Sequence, residues 1–168
     1  MEQRIYGITG WKNSGKTTLT ARLVRELTGR GLKVSTVKHA HHAFEIDREG
    51  TDSFRHRGAG ASEVAIVSGT RWALMHELRA EPEPSLADVI ARLSPCDLVL
   101  IEGYKRESHP KIECRRADAV DRRPMQDRVP AIAAIAADHA VTDSALPLFD
   151  LDDIAALADF VMAETGLS

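Results

Sequence analysis

Cysteine is scarce: Cys96 and Cys114 stand eighteen residues apart, with no C-x-x-C pair around them. A disulfide framework is therefore excluded, and both read as reduced thiols. Long apolar runs are missing too. None approaches the eighteen or so residues a membrane-crossing helix requires. The N-terminus lacks a signal-peptide layout, so the cytoplasm is the expected compartment. Positive charge is not in excess either: the formal net charge is −3 and the pI near 6.2. No global positive field advertises nucleic acid or an anionic membrane, and neither is expected as a partner. Lysine and arginine vanish from residues 138–168, which hold seven acids, whereas residues 105–128 hold eight basic residues against five acids. Such runs read as a solvated mixed surface beside an acidic helix. The 168 residues, 43% hydrophobic and 28% charged, fit one domain over residues 1–168, able to bury roughly two thirds of its unfolded surface.

Short apolar runs alternate with helical patterns, which predicts an α/β fold with a mostly parallel central sheet covered by helices. Residues 4–9 read as a first strand. From Lys16, the apolar positions Leu19, Leu23, Val24 and Leu27 recur at helical spacing until Gly29 and Gly31 stop the helix. Further strands are expected at 33–37, 63–67, 98–101 and 131–136, with 72–75 extending or pairing with 63–67. Ser85 would cap a helix through Leu93, and Asp150 one over 151–164. Residues 39–51 and 104–130 read as irregular, and long irregular loops in compact domains tend to be functional.

Between the first strand and its helix stands Gly10-Trp11-Lys12-Asn13-Ser14-Gly15-Lys16-Thr17, followed by Thr18. This is G-x-x-x-x-G-K-[ST] in the strand-to-helix context that gives the pattern meaning. The glycines let successive backbone N–H groups point inward at phosphate oxygens, and the helix adds its positive end. Lys16 would reach the β- and γ-phosphates, and the Thr17 hydroxyl would ligate Mg²⁺. A P-loop NTPase-like three-layer fold follows.

The metal needs a carboxylate at the carboxyl end of a neighbouring strand. "DLVLIEGYK" offers Asp97 and Glu102 at opposite ends of one strand, roughly 16 Å apart. Glu102 follows the apolar run and is chosen; Asp97 precedes it and reads as a turn acid. Asp52 could present a second carboxylate to Mg²⁺, or be a helix N-terminal acid favoured by the dipole. His39, His41 and His42 have spacing that permits metal binding, but a phosphate-side loop contacting nucleotide or substrate, or plain loop histidines, are simpler readings. No N-K-x-D sequence is present. Asp138, after the 131–136 run, could accept from guanine N1–H and N2–H₂ together, or be an ordinary cap.

"GWKNSGKTTL", "KHAHHAFEIDREGTDSFRHRGAGA" and "DLVLIEGYK", in this order and spacing, resemble the molybdopterin-guanine dinucleotide biosynthesis protein B (MobB) family. The likeness is strong over residues 4 to 115 and weak beyond. It implies a GTP-binding accessory protein with slow hydrolysis, dimeric, working beside the guanylyltransferase that attaches GMP to molybdopterin. GTP and Mg²⁺ would be its cofactors. Molybdopterin and molybdoenzymes are further candidate partners. Gly10 to Thr17 would be the phosphate loop, Glu102 the metal-side acid and Asp52 a switch acid. Two other classes stay open: a small P-loop kinase with residues 104–128 as its lid, and a non-catalytic adaptor whose nucleotide sets partner affinity. The segment "SGTRWALMHEL" carries apolar groups on both faces, which suits an edge strand pairing with a second copy.

Overall fold

A computed structural model describes residues 3–40 and 44–168. The chain divides into two compact units, residues 1–39 with 86–168, and residues 40–85.

The larger unit is an α/β layer structure around six strands. These are β1 (Ile5–Gly10), β2 (Val34–Lys38), β5 (Leu98–Glu102), β6 (Lys111–Arg115), β7 (Ile132–Ala137) and β8 (Leu148–Asp150). They lie in the order β2-β5-β1-β6-β7-β8, and every neighbouring pair is parallel. The α1 helix (Lys16–Gly29) and the α4 helix (Ile154–Thr165) bury Leu19, Leu23, Leu27, Leu157 and Val161 against Tyr6, Ile8, Leu100 and Ile112. The opposite face holds a smaller cluster, Val37, Val99 and Ile101 with Leu86 of α3 (Leu86–Ala91). Every strand points its carboxyl end to one edge of the sheet, the edge where β1 runs into α1. That is where ligands bind in open α/β sheets.

In the smaller unit, α2 (Asp52–Gly58) precedes an antiparallel ribbon of β3 (Glu63–Val67) and β4 (Trp72–His76). Val64 and Met75 face each other across it, both buried. Val67, Trp72 and Leu74 occupy the other face, half or more exposed. Asp47 is buried and accepts from Arg57 at 2.8 Å. Among the described residues, no helix is long and apolar enough to cross a membrane.

Three expectations change. The 104–130 stretch is not wholly irregular: it contains β6, hydrogen-bonded directly to β1, whose alternating charges disguised a fully buried strand. β8 also emerges. The last helix starts at Ile154, because Asp153, not Asp150, accepts from the Ala156 N–H as its cap. Finally, 72–76 pairs with 63–67 as expected, but the two form a separate ribbon and not an edge of the six-stranded sheet.

Candidate functional site

At the end of β1 the chain must reverse sharply into α1, and two glycines make this possible. A Cβ on Gly10 would strike Ser14 Oγ and come within 2.8 Å of the Cys114 carbonyl oxygen; Gly15 sits at φ 92°. Asn13 is also left-handed, at φ 63°, a conformation asparagine tolerates better than most residues. Gly15 caps α1 without a side-chain hydrogen bond, and the first turn carries no acid. The first-turn N–H groups and the helix's positive end are thus left for an external anion. Residues 13–18 line a cavity of about 480 Å³ together with Arg116 and Asp118.

Of the predicted loop residues, Lys12, Asn13, Thr17 and Thr18 are exposed, whereas Ser14 is buried with no partner for its Oγ. Lys16 Nζ donates to the Trp11 carbonyl at 2.6 Å, and burial lowers its pKa. Trp11 Nε1 donates to the Arg123 carbonyl at 2.7 Å. The Trp11 ring is flanked by Lys105 Nζ at 4.7 Å and by the Arg123 guanidinium at 5.2 Å. These contacts anchor the loop's outer rim.

Thr17 and Glu102 come together. The Thr17 hydroxyl donates to Glu102 Oε1 at 2.9 Å, and the carboxylate is almost wholly buried at the carboxyl end of β5. Lys38, at the end of β2, places Nζ 3.2 Å from that same oxygen and 3.4 Å from Thr17 Oγ1. Two hard oxygen donors thus already converge on a cation, which is the chemistry Mg²⁺ requires. Lys38 escaped sequence reading; its one signal was its place at the end of a strand bordering β5. Asp97 lies at the opposite end of β5, where its carboxylate accepts from the Lys33 N–H at 2.7 Å.

Asp138 follows β7, and its carboxylate is held by the chain. Oδ1 accepts from the Ala117 N–H at 2.8 Å and lies 2.9 Å from His139 Nδ1. Oδ2 faces Arg116 Nε at 3.4 Å. His139 first, with Ala117 and Arg116, lowers the Asp138 pKa. His39 stacks on Tyr104 with ring centroids 4.7 Å apart; His41 and His42 lie outside the described residues. Asp52 is the exposed first residue of α2, in the smaller unit. No group of three or more metal-binding side chains occurs among the described residues.

Beneath the loop, β6 supplies residues that sequence reading passed over. Glu113 accepts from the Met125 N–H at 3.1 Å and from Arg115 Nη2 at 3.0 Å. Arg115 Nη1 donates to Asp143 at 2.6 Å. Buried Glu113 and Arg115 and exposed Asp143 line a second cavity of about 210 Å³ beside Trp11 and Ser14. Burial pushes the Cys114 thiol up to about 12, so it takes no part as a nucleophile.

Residues 5–138 match the family described as molybdopterin guanine dinucleotide synthesis protein B, MobB. The molybdopterin-guanine dinucleotide biosynthesis adapter protein of Haemophilus influenzae is 38% identical over 160 residues, 94% of this chain and 86% of its own. The Escherichia coli protein of the same name is 35% identical, over 94% of this chain and 91% of its own. The crystal structure of a MobB homolog from Bacillus stearothermophilus superposes with a TM-score of 0.72 at 29% identity, covering 96% of this chain and 97% of the other. The six-stranded parallel sheet and the sequence agree: this chain belongs to the MobB family.

Proposed function

We propose that this chain is a GTP-binding accessory protein of molybdenum cofactor biosynthesis. It would bind GTP with Mg²⁺, hydrolyse it slowly, and assist the formation or delivery of molybdopterin guanine dinucleotide beside the guanylyltransferase. The observation that carries this reading is the junction of β1 and α1: an uncapped helix N-terminus with Lys16 beside it and the Thr17–Glu102 oxygen pair within reach. The adapter names of the relatives supply the pathway. Lys16 would leave the Trp11 carbonyl to neutralise charge on the β- and γ-phosphates. Thr17 and Glu102 would hold Mg²⁺, which would supply charge neutralisation at the phosphates. The thiols and the absence of a membrane-crossing helix among the described residues suit the cytoplasm. A second copy would cover the exposed Val67, Trp72 and Leu74 face of the β3–β4 ribbon.

Calorimetric titration with GTP and Mg²⁺ tests the site. Lys16→Ala should weaken binding by roughly tenfold to a hundredfold with an unchanged circular dichroism spectrum; parental affinity would refute the phosphate loop. Glu102→Gln should reduce hydrolysis more than binding. Light scattering of the parent and of Trp72→Glu tests the dimer, which a parental particle near 18.4 kDa would refute.

A further inference from the structure

The cavity over the phosphate loop has a second end. Besides residues 13–18 it is lined only by Arg116 and Asp118, contributed by the chain as it leaves β6. The Arg116 stem lies against the loop: a Cβ on Gly15 would be 3.3 Å from its Cδ. Its Nε faces Asp118 Oδ1 at 3.2 Å and Asp138 Oδ2 at 3.4 Å, which leaves the Nη donors for a ligand. Asp118 keeps a 69% exposed side chain. Asp138 differs. Its carboxylate is engaged by Ala117, His139 and Arg116, so it serves to fasten the turn that carries Arg116 and Asp118.

We propose that Arg116 and Asp118 together read the base of the nucleotide whose phosphates occupy residues 13–18, and that they select guanine. The proposal rests on the phosphate-loop reading above. Guanine offers two adjacent donors, N1–H and N2–H₂, which a carboxylate accepts as a pair. Its O6 and N7 are two adjacent acceptors, which arginine meets with its forked N–H groups. One acid and one arginine side by side therefore complement a guanine edge. Adenine reverses the pattern, with an acceptor at N1 and a donor at N6. It would leave the carboxylate facing a lone pair and the guanidinium facing an amine, and unpaired polar groups in a site reject a ligand more strongly than lost contacts do. The stem of Arg116 over Gly15 fixes this reader at the phosphate loop.

The test is calorimetric titration of the full chain in Mg²⁺ with GTP, ATP and XTP, for the parent, Asp118→Asn and Asp138→Asn. The parent should prefer GTP over ATP by about tenfold or more. Asp118→Asn should weaken GTP by about tenfold and favour XTP, because its amide still accepts N1–H while its NH₂ donates to the carbonyl xanthine carries at C2. Asp138→Asn loosens the turn that carries both readers and should weaken GTP, but without turning the preference toward XTP. Three results overturn the assignment: equal binding of GTP and ATP by the parent, unchanged preferences in Asp118→Asn, or the switch to XTP appearing in Asp138→Asn instead. In each of these the phosphate-loop reading survives. A parent that binds none of the three nucleotides removes both.

Discussion

β5 and β6 flank β1 on either side, and both are buried at every position. They achieve burial by opposite means. β5 is apolar on both faces, with Leu98 and Leu100 packed toward α1 and Val99 and Ile101 toward α3. β6 turns Ile112 and Cys114 to the α1 side but Lys111, Glu113 and Arg115 to the other. There Lys111 Nζ donates to the carbonyls of Glu107, His109 and Pro130 at 2.6, 2.8 and 3.2 Å, and Arg115 donates through its two Nη atoms to Asp143 and Glu113. The difference continues to the carboxyl ends. β5 delivers a carboxylate to Thr17 at the start of α1; β6 leads into Arg116, whose stem lies against Gly15, and into Asp118 of the same cavity. A strand held by packing can be replaced by any sequence of similar volume, whereas one held by ion pairs fixes the identity of each member.

Glu113→Ala is the change that should hurt most. It strands Arg115 with Asp143 alone, leaves the buried Met125 N–H unpaired and opens a void, for a loss of about 4 kcal/mol in urea unfolding. Glu113→Leu combined with Arg115→Met removes both charges and should lose clearly less. A double variant as damaged as Glu113→Ala would mean that shape, not charge, holds β6.

Next comes β5. Leu100→Ala removes three heavy atoms from a fully buried site and should cost about 3 kcal/mol, with no sensitivity to the charge of its neighbours. The contrast explains what could be read in advance. Residues 98–101 announce a buried strand because continuous hydrophobicity has one cheap explanation, burial on both faces. Lys-Ile-Glu-Cys-Arg alternates like a strand with a wet face, and nothing local reveals that Pro130 and Asp143 will come round to pair it. Its partners are 19 and 28 residues away. The turn from β1 into α1 was legible for the opposite reason: its glycines, Lys16 and Thr17 are close in sequence, and their spacing encodes a local backbone shape. Lys38 and Asp118 come beside that turn only through sheet order, so their placement needed coordinates. Asp150 and Asp153 are both good caps, and only the register of α4 decides between them.

The smallest expected effect separates the two strands by pH. His109 precedes β6, is nearly inaccessible, and has no partner for Nε2. Burial, reinforced by the Lys111 ammonium, pushes its pKa from 6.5 down to about 4, so the folded chain holds it neutral. An unfolded chain protonates it near pH 6.5. Between about 4 and 6.5 the unfolded state binds more protons, so stability must fall as pH drops through that window and be indifferent to this group above it. Val99 and Ile101, on the β5 side of the same face, have no such group to titrate. Urea midpoints at pH 7.5 and 4.5, compared between the parent and His109→Gln, isolate the contribution because the carboxylates and the other histidines are the same in both. The parent should lose more stability on acidification than the variant does. Parallel losses would show that His109 takes its proton freely in the folded chain, and that the polar side of β6 is wetter than its burial implies.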